Sequence, residues 1–365
     1  MINLLQDIFA FAGQIIPSPI TLFRTYRFSP ADLTIGHEND VRVAPGSAPS
    51  SNNKNIIAPT TLANIDILSY NINNVAVRSP NRRRKILRAI FASGADVVLL
   101  QETNPAWEVL LRDDAIALQF RYSHFHHPSD SDRGAGGIAI LSQYPLENVR
   151  VLDFTKDVSG SVFPALTCEV KIPMQRFCSG ESDNTNKPSS NPIVTINIAN
   201  VHLRPPVELD GSAWLGTARK TEPIRIKEVK ELIRRTPRKA GLITKTEQPT
   251  LDIIAGDFNE GDNAGALSHL VRSGYIDALQ QHVPRSKETH TWPFMRNLFT
   301  LRKRLDHILW HDGPLATTFN EGKELHCNIK LQCLSCGVVT GYEDGASDHQ
   351  PVLARFAFVK KESVG

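Results

Sequence analysis

The sequence predicts an α/β (α+β) sandwich, on three observations. Apolar strand-like runs alternate with helix-like patterns from about Leu62 onward, which excludes a helical bundle and an all-β barrel. A chain of 365 residues that is 41% apolar and 22% charged can bury a sizeable core. No internal repeat and no second independent core is visible, so one large domain is expected over residues 62–359, with an extension and polar linker over 1–61 and a tail over 360–365.

The elements follow in order. Residues 1–24 are rich in Ile, Leu and Phe, but Gln6 and Asp7 interrupt them and no Lys or Arg precedes Arg24, so the basic start of a secretory signal is missing. Pro17 and Pro19 break any span of membrane-crossing length. The segment reads as an interfacial helix making weak membrane contact, as a piece packed on the main domain, or as disorder. The run from Pro45 to Pro59 is too rich in Pro, Ser and Asn to pack, and marks the linker. Ile65 to Tyr70 is the first strand. Ser79 caps a helix with Pro80 in its first turn, Ile86, Leu87, Ile90 and Phe91 share a face, and Gly94 supplies the stop. Val97 to Leu100 is a buried strand. Ala165 to Ile172 and Ile193 to Ile198 form a hairpin interrupted by a polar loop from Cys178 to Pro192. A helical pattern at Ile226, Val229, Leu232 and Ile233 precedes the strand Leu251 to Ala255, and another at Leu267, Leu270 and Val271 ends before Gly274.

Charge and cysteine usage exclude some classes. Lys plus Arg at 41 against Asp plus Glu at 38 leave +3, so the whole-molecule field selects no partner. Five cysteines, an odd number, argue against a disulfide framework and favour reduced thiols and an intracellular setting. Cys333 and Cys336 have C-x-x-C spacing, but His326 and Cys327 are too closely spaced to give a usual second pair, so zinc is not expected and the cysteines read as small strand residues. No stable protein partner is indicated.

The informative polar residues fall at strand ends. Asn71 and Asn73 follow ILSY, Gln101 and Glu102 follow DVVLL, and Asn200 and His202 interrupt or follow INIA. Asp257 and Asn259 follow LDIIAG, Asp306 precedes HILW, and Ser347, Asp348 and His349 precede PVLARFAF. Strands can deliver such groups to one rim of a sandwich without burying charge in the core. Magnesium or manganese prefers oxygen ligands, so Glu102 with Asn71 is a plausible first set of ligands, with Asp306 and Asp348 left for pairing or a second metal position. Asp257 and Asn259, two apart, are expected to point the same way and orient a water for in-line attack on phosphorus. A histidine paired with a carboxylate keeps its proton and can hydrogen-bond a phosphate; His349 with Asp306 fits. Taken singly, each pattern is as readily a strand end or a turn cap. Their common order along the chain is what singles them out.

That order, N-I-N from Asn71, L-Q-E-T ending at Thr103, G-G-I-A-I-L-S from Gly136, N-V-H-L from Asn200, G-D-F-N from Gly256, R-L-D-H-I-L from Arg304 and S-D-H-Q-P-V from Ser347, resembles the endonuclease/exonuclease/phosphatase (deoxyribonuclease I-like) superfamily over about residues 62–359. The resemblance implies a four-layer sandwich of two mixed β-sheets flanked by helices, with a magnesium-dependent site at one end. It implies that Glu102 is the main metal ligand with Asn71 beside it, and that Asp348 is a metal-side carboxylate. It assigns Asp257 to the attacking water with Asn259 beside it, His349 to the phosphate, and Asp306 to orienting that histidine. His202 falls near the phosphate or leaving group, and Asn200 and Arg304 fall on the substrate side. Asn73 stands where abasic-site endonucleases carry an acid, and Lys303, Arg304 and Leu305 precede Asp306 in place of the inositol polyphosphate 5-phosphatase motif, so neither subgroup fits.

The function expected is a divalent-metal-dependent phosphodiesterase, most readily a nuclease acting on DNA or RNA. A hydrolase of phospholipid head groups or small phosphoesters, and a catalytically inactive phosphate-binding module, are the alternatives. Arg82, Arg83, Arg84, Lys85 and Arg88 lie on the first helix, and Arg296, Arg302, Lys303 and Arg304, interleaved with Trp292, Phe294 and Phe299, could wall a nucleotide substrate or plug the core.

Overall fold

The computed structural model describes residues 42–43, 60–113, 118–128, 134–174, 192–207, 216–236, 251–262, 264–283, 290–296, 299–318, 329–340 and 346–360. The N-terminal apolar segment, the linker over 45–59, the loop over 178–191, and His326 with Cys327 lie outside them.

Among the described residues, sixteen strands run in chain order: β1 (Arg42–Val43), β2 (Thr60–Asn71), β3 (Val97–Thr103), β4 (Tyr122–His126), β5 (Gly137–Ser142), β6 (Leu146–Leu152), β7 (Ala165–Pro173), β8 (Ile193–His202), β9 (Ile253–Asp257), β10 (Tyr275–Asp277), β11 (Trp292–Arg296), β12 (Phe299–Lys303), β13 (Asp306–His311), β14 (Ala316–Thr318), β15 (Ile329–Thr340) and β16 (Val352–Lys360). The helices are α1 (Pro80–Ala92), α2 (Pro105–Leu111), α3 (Thr217–Arg235), α4 (Gly265–Arg272) and α5 (Ala278–His282). No described helix is long and apolar enough to cross a membrane.

One sheet has the order β1-β15-β16-β2-β3-β5-β4, and the other β10-β13-β9-β8-β7-β6 with β14 added on β8. Three separate cores show four layers. Ile65, Ile67, Val97 and Leu99 of the first sheet pack on Ile196, Ile198, Ile253 and Ile308 of the second. Outside the first sheet, Leu68 and Leu100 meet Ile86 and Ile90 of α1 and Trp107 of α2. Outside the second, Val201 and Ile254 meet Val229 and Leu232 of α3 and Leu267 and Leu270 of α4. Alternation along β2 and β3 thus sends odd and even residues to different layers. Cys168, Cys333 and Cys336 are buried free thiols in the inter-sheet core, as expected of small strand residues. Burial pushes Cys168 and Cys333 up to about 12.

All strands pair antiparallel except β2 with β3 and β8 with β9, each pair joined by a crossover helix, α1 and α3 respectively. A parallel pair with a crossover places both C-terminal strand ends on the same side. Asn71 is level with Gln101, and His202 with Asp257. Local signals are as anticipated: Ser79 Oγ accepts from Arg82 N, Pro80 opens α1, and Gly94 ends it at φ +63°. Two boundaries differ. The first core strand begins at Thr60, and β1, within the expected linker region, pairs with Val339 and Thr340 on the edge of the first sheet.

Asn200 departs from its expected place on the substrate side. It is fully buried, its Nδ2 donates to Leu100 O at 3.0 Å and Ala139 O at 2.8 Å, and its Oδ1 accepts from Gln101 Nε2 at 2.7 Å. Both amide hydrogens are spent on the facing sheet. It is a polar rivet between the layers, because unpaired backbone carbonyls there would carry a desolvation cost.

Gly256 fixes the approach of β9 to β8. A Cβ there would lie 1.9 Å from Val201 O, and φ is +147°. Gly256→Ala is therefore expected to lower stability by about 3 kcal/mol, measured by chemical denaturation; a loss under half of that would show that the ladder yields.

Candidate active site

The rim is assembled from strand ends of both sheets. Asn71 ends β2, and its Nδ2 donates to Glu102 Oε1 and to Asp257 Oδ2, both at 3.1 Å, while its Oδ1 accepts from Asn73 N at 3.1 Å. The amide therefore holds two carboxylates with its NH2 group. Its oxygen accepts from the chain with one lone pair, so the side chain that spaces the two acids keeps a second lone pair for the metal-ligand role expected of it.

Glu102 is aimed by a bulge. The β3–β5 register shifts between Gln101 and Thr103, and Glu102 sits at φ +58°. Its Oε2 accepts from Asn74 N at 3.1 Å. Burial and repulsion from Asp348 push its carboxyl up to about 7. Among the described residues, Asn73, Asn148 and Asn259 are the other non-glycine residues with positive φ. Asn tolerates that region; Glu stores strain there, which the rim must hold.

His349 is buried, and its Nδ1 donates to Asp306 Oδ2 at 2.8 Å while Nε2 lies 3.7 Å from Asp257 Oδ2. Burial alone would depress the imidazole, but Asp306 and Asp257 outweigh it and hold it well above the ordinary histidine range. Thr291 sets this geometry: its Oγ1 accepts from Leu305 N and Asp306 N, and its carbonyl from Gln350 N at 2.7 Å. In the S-D-H turn, Ser347 Oγ donates to Asn71 O at 2.7 Å and Asp348 accepts from Asn73 Nδ2 at 2.7 Å. Desolvation acts against it, yet His349 and Asn73 keep the Asp348 carboxyl below its usual value.

His202 Nε2 lies 3.6 Å from Asp257 Oδ2, and its ring stacks on Phe163 with centroids 4.2 Å apart. Burial lowers it to about 4 despite Asp257, so it is a neutral imidazole. Asp257 is itself raised by burial, against the pull of His349. Asn259 does not continue the strand. At φ +53° it turns back, its backbone N donates to Asp257 Oδ1 at 2.8 Å, and its Nδ2 donates to Leu203 O at 3.0 Å. The expected common direction of Asp257 and Asn259 is thus replaced by an Asx turn.

The donor set suits a hard cation. Asp257, Asp306 and His349 have ligand atoms within 4.8 Å of one another, but His349 fills that trio with its own charge. Glu102 and Asp348, which repel one another, are the less compensated pair. Asp306 Oδ1 is buried without a hydrogen-bond partner. Oxygen donors outnumber nitrogen here, as magnesium or manganese requires.

Arg304 does not line this rim. It is buried, its Nη2 donates to Val283 O at 3.1 Å, and Nη1 lies 3.9 Å from Asp262 Oδ2. It belongs to a cluster behind Asp306 in which His307 donates from Nδ1 to Asp277 Oδ2 at 2.8 Å and from Nε2 to Arg304 O at 3.2 Å. The hairpin of β11 and β12 stands beside the site through Thr291, but the side chains of Arg296, Arg302, Phe294 and Phe299 lie outside the described residues. Sequence reasoning missed Thr291 and Phe163, which carry no motif, and the pairing role of Asn73.

A two-sheet sandwich with acids, amides and two imidazoles on one rim defines the deoxyribonuclease I-like class of phosphoester-processing folds. The chain belongs to the Endonuclease/Exonuclease/phosphatase family, whose model matches residues 68–349. No curated protein matches. Among solved structures, TDP2 of D. rerio complexed with single-strand DNA product aligns with a TM-score of 0.50 at 16% identity, over 80% of this chain and 99% of that one. A humanized D. rerio TDP2 carrying 14 mutations gives 0.50, 16%, 80% and 98%. The Xenopus laevis APE2 catalytic domain gives 0.49, 16%, 82% and 94%. The two TDP2 likenesses show the fold.

The His307 cluster gives a pH signature. Burial lowers His307, but Asp277 outweighs it and raises it from 6.5 to about 9. Its contribution to stability is fully present below pH 6.5 and lost as pH rises through about 9. The stability gap between the native chain and His307→Gln, read from urea midpoints, is expected to close across that window; a constant gap would contradict a buried imidazolium.

Proposed function

We propose that the chain is a divalent-metal-dependent phosphodiesterase that hydrolyses nucleic acid by in-line attack of water. The single observation that carries this reading is the Asn71 amide joining Glu102 of one sheet to Asp257 of the other, with the His349–Asp306 pair 3.7 Å from the same Asp257 oxygen. Family membership supports phosphoester hydrolysis as the reaction class.

Glu102 and Asp348 are the residues to hold a magnesium or manganese ion, which when bound neutralises phosphate charge. Asp257 accepts a hydrogen bond from the attacking water and draws off its proton as the water oxygen bonds to phosphorus. His349, kept protonated by Asp306, donates from Nε2 to a non-bridging oxygen whose charge grows in the transition state. The P–O bond opposite the water breaks, and the leaving alkoxide takes a proton from solvent water to depart as the alcohol. The neutral His202, 3.6 Å from the same Asp257 oxygen, hydrogen-bonds the phosphate or the leaving oxygen. Asn259 fixes the Asp257 carboxylate through its backbone N–H.

Nucleic acid is favoured over a lipid head group by α1. Its first two turns carry Arg82, Arg83, Arg84 and Lys85 and no acid, although a helix N-terminus disfavours cations, and Arg82 Nε donates to Ala346 O at 2.6 Å beside the S-D-H turn. A polyanion running past the rim would meet this cluster. The DNA product seen with D. rerio TDP2 is consistent with that substrate class.

The test is magnesium-dependent turnover of bis(p-nitrophenyl) phosphate, then of single-stranded DNA, RNA, tyrosyl-linked DNA and sphingomyelin. Release from nucleic acid but not sphingomyelin is expected; the reverse selects the lipid reading, and phosphate binding without turnover selects an inactive module. Glu102→Gln is expected to raise the magnesium concentration for half-maximal rate, whereas His349→Ala lowers kcat by about 10²–10³-fold with that concentration unchanged. Equal loss of metal affinity in both would refute the division of roles. Arg83→Glu with Arg84→Glu is expected to weaken polymer binding and lower its salt slope by about 2, with the small ester still hydrolysed; an unchanged slope would take α1 out of the substrate path.

A further inference from the structure

A buried ionic strut on α3 holds the segment that follows β8 and His202 and the segment that carries Asn259 beyond β9. Arg225, Glu228 and Glu260 are 2%, 0% and 4% exposed. Charges taken this far out of water are costly, and an apolar set of equal volume is often as stable, so stability alone is a weak reason for them. Their directions are more telling. Arg225 Nε donates to Glu260 Oε2 at 2.9 Å, and its Nη1 to Arg204 O at 3.0 Å and Thr221 Oγ1 at 2.9 Å. Its Nη2 donates to Ala218 O at 3.3 Å. Glu228 closes the other side, with Oε2 accepting from Arg204 N at 2.9 Å and Oε1 from Ser161 Oγ at 2.5 Å.

Both backbone groups of Arg204, two residues past His202, are therefore held by one helix. Glu260, the residue after Asn259, is held by the same guanidinium, and its Oε1 accepts from Leu267 N of α4 at 2.9 Å. Between the loops, Asn259 Nδ2 donates to Leu203 O and Leu203 N to Asp257 O at 2.9 Å. His202 to Arg204 and Asp257 to Glu260 thus form one closed unit with Arg225 as its clasp. A planar guanidinium can serve two loops at fixed angles, which the point charge of a lysine cannot.

We propose that Arg225, acting with Glu228 and Glu260, is a positioning residue that sets His202 and Asn259 against Asp257. This rests on the rim being the hydrolytic centre. His349 is fixed separately, through Thr291 and Ser347, and so supplies an internal control.

The test uses the full chain with Glu260→Gln, Arg225→Lys, and the double variant Arg225→Met with Glu260→Gln, which leaves no unpaired charge at this contact. Each is measured for Tm, for kcat and KM on bis(p-nitrophenyl) phosphate with saturating magnesium, and for the nitrogen resonances of His202, His349 and the Asn259 side chain. In variants whose Tm stays within about 5 °C of the native chain, kcat is expected to fall about 100-fold with KM within twofold. The His202 and Asn259 resonances are expected to move and that of His349 to stay. A kcat within threefold of native, or unmoved His202 and Asn259 resonances, in any folded variant overturns the proposal. If the double variant does not fold, the isosteric Glu260→Gln decides. If the native chain turns over no phosphoester, the hydrolytic reading fails, while the resonances still decide whether the strut positions these two side chains.

Discussion

The site depends on acids being brought close together without being allowed to separate. Glu102, Asp257, Asp306 and Asp348 lie on one rim, and at close range like charges raise one another's proton affinity or push the structure apart. The Asn71 amide answers this directly, since its two N–H bonds fall between Glu102 and Asp257 and tie one sheet to the other. His349 does the same for Asp306 and Asp257 with a full positive charge. Every other feature of the rim is built around these two bridges: the bulge at Glu102, the Asx turn at Asn259, and the Thr291 hydroxyl under Asp306.

The two imidazoles illustrate how neighbours set protonation. Both are buried and both lie within 4 Å of the same Asp257 oxygen, at 3.6 Å for His202 and 3.7 Å for His349. Asp306 makes a direct hydrogen bond to His349 alone, and that second carboxylate decides the outcome, one ring charged and the other neutral. A charged donor and a neutral ring beside one acid oxygen give the rim two distinct polar roles from one residue type.

Much of this was legible in the sequence, for identifiable reasons. Layer-by-layer burial follows from strand alternation in ILSY and DVVLL and from the spacing of Ile86, Leu87 and Ile90, so the fold class could be read. Pairing of His349 with Asp306 was also readable, because both sit in motifs. The failures have a common cause. Asn200 and Arg304 lie in motifs too, but a motif does not say which way a side chain turns, and both turn inward to satisfy buried carbonyls or acids. Asn259 was misdirected because strand alternation was extended one turn too far. Thr291, Phe163 and Arg225 act through long-range contacts, which leave no local pattern.

The pairing of β2 with β16 has a consequence for how the molecule is made. Thr60 is level with Lys360, so β2, the first long strand of that sheet, is flanked on one side by β16, which lies almost three hundred residues further on. A growing chain must keep that flank of β2 uncovered until Val352–Lys360 has been made. Long-range closure of this kind slows folding and leaves an adhesive edge open to other chains. Loss of Val352–Lys360 would strip β16 from the middle of a sheet rather than from its margin, severing β15 from β2 and splitting the layer in two.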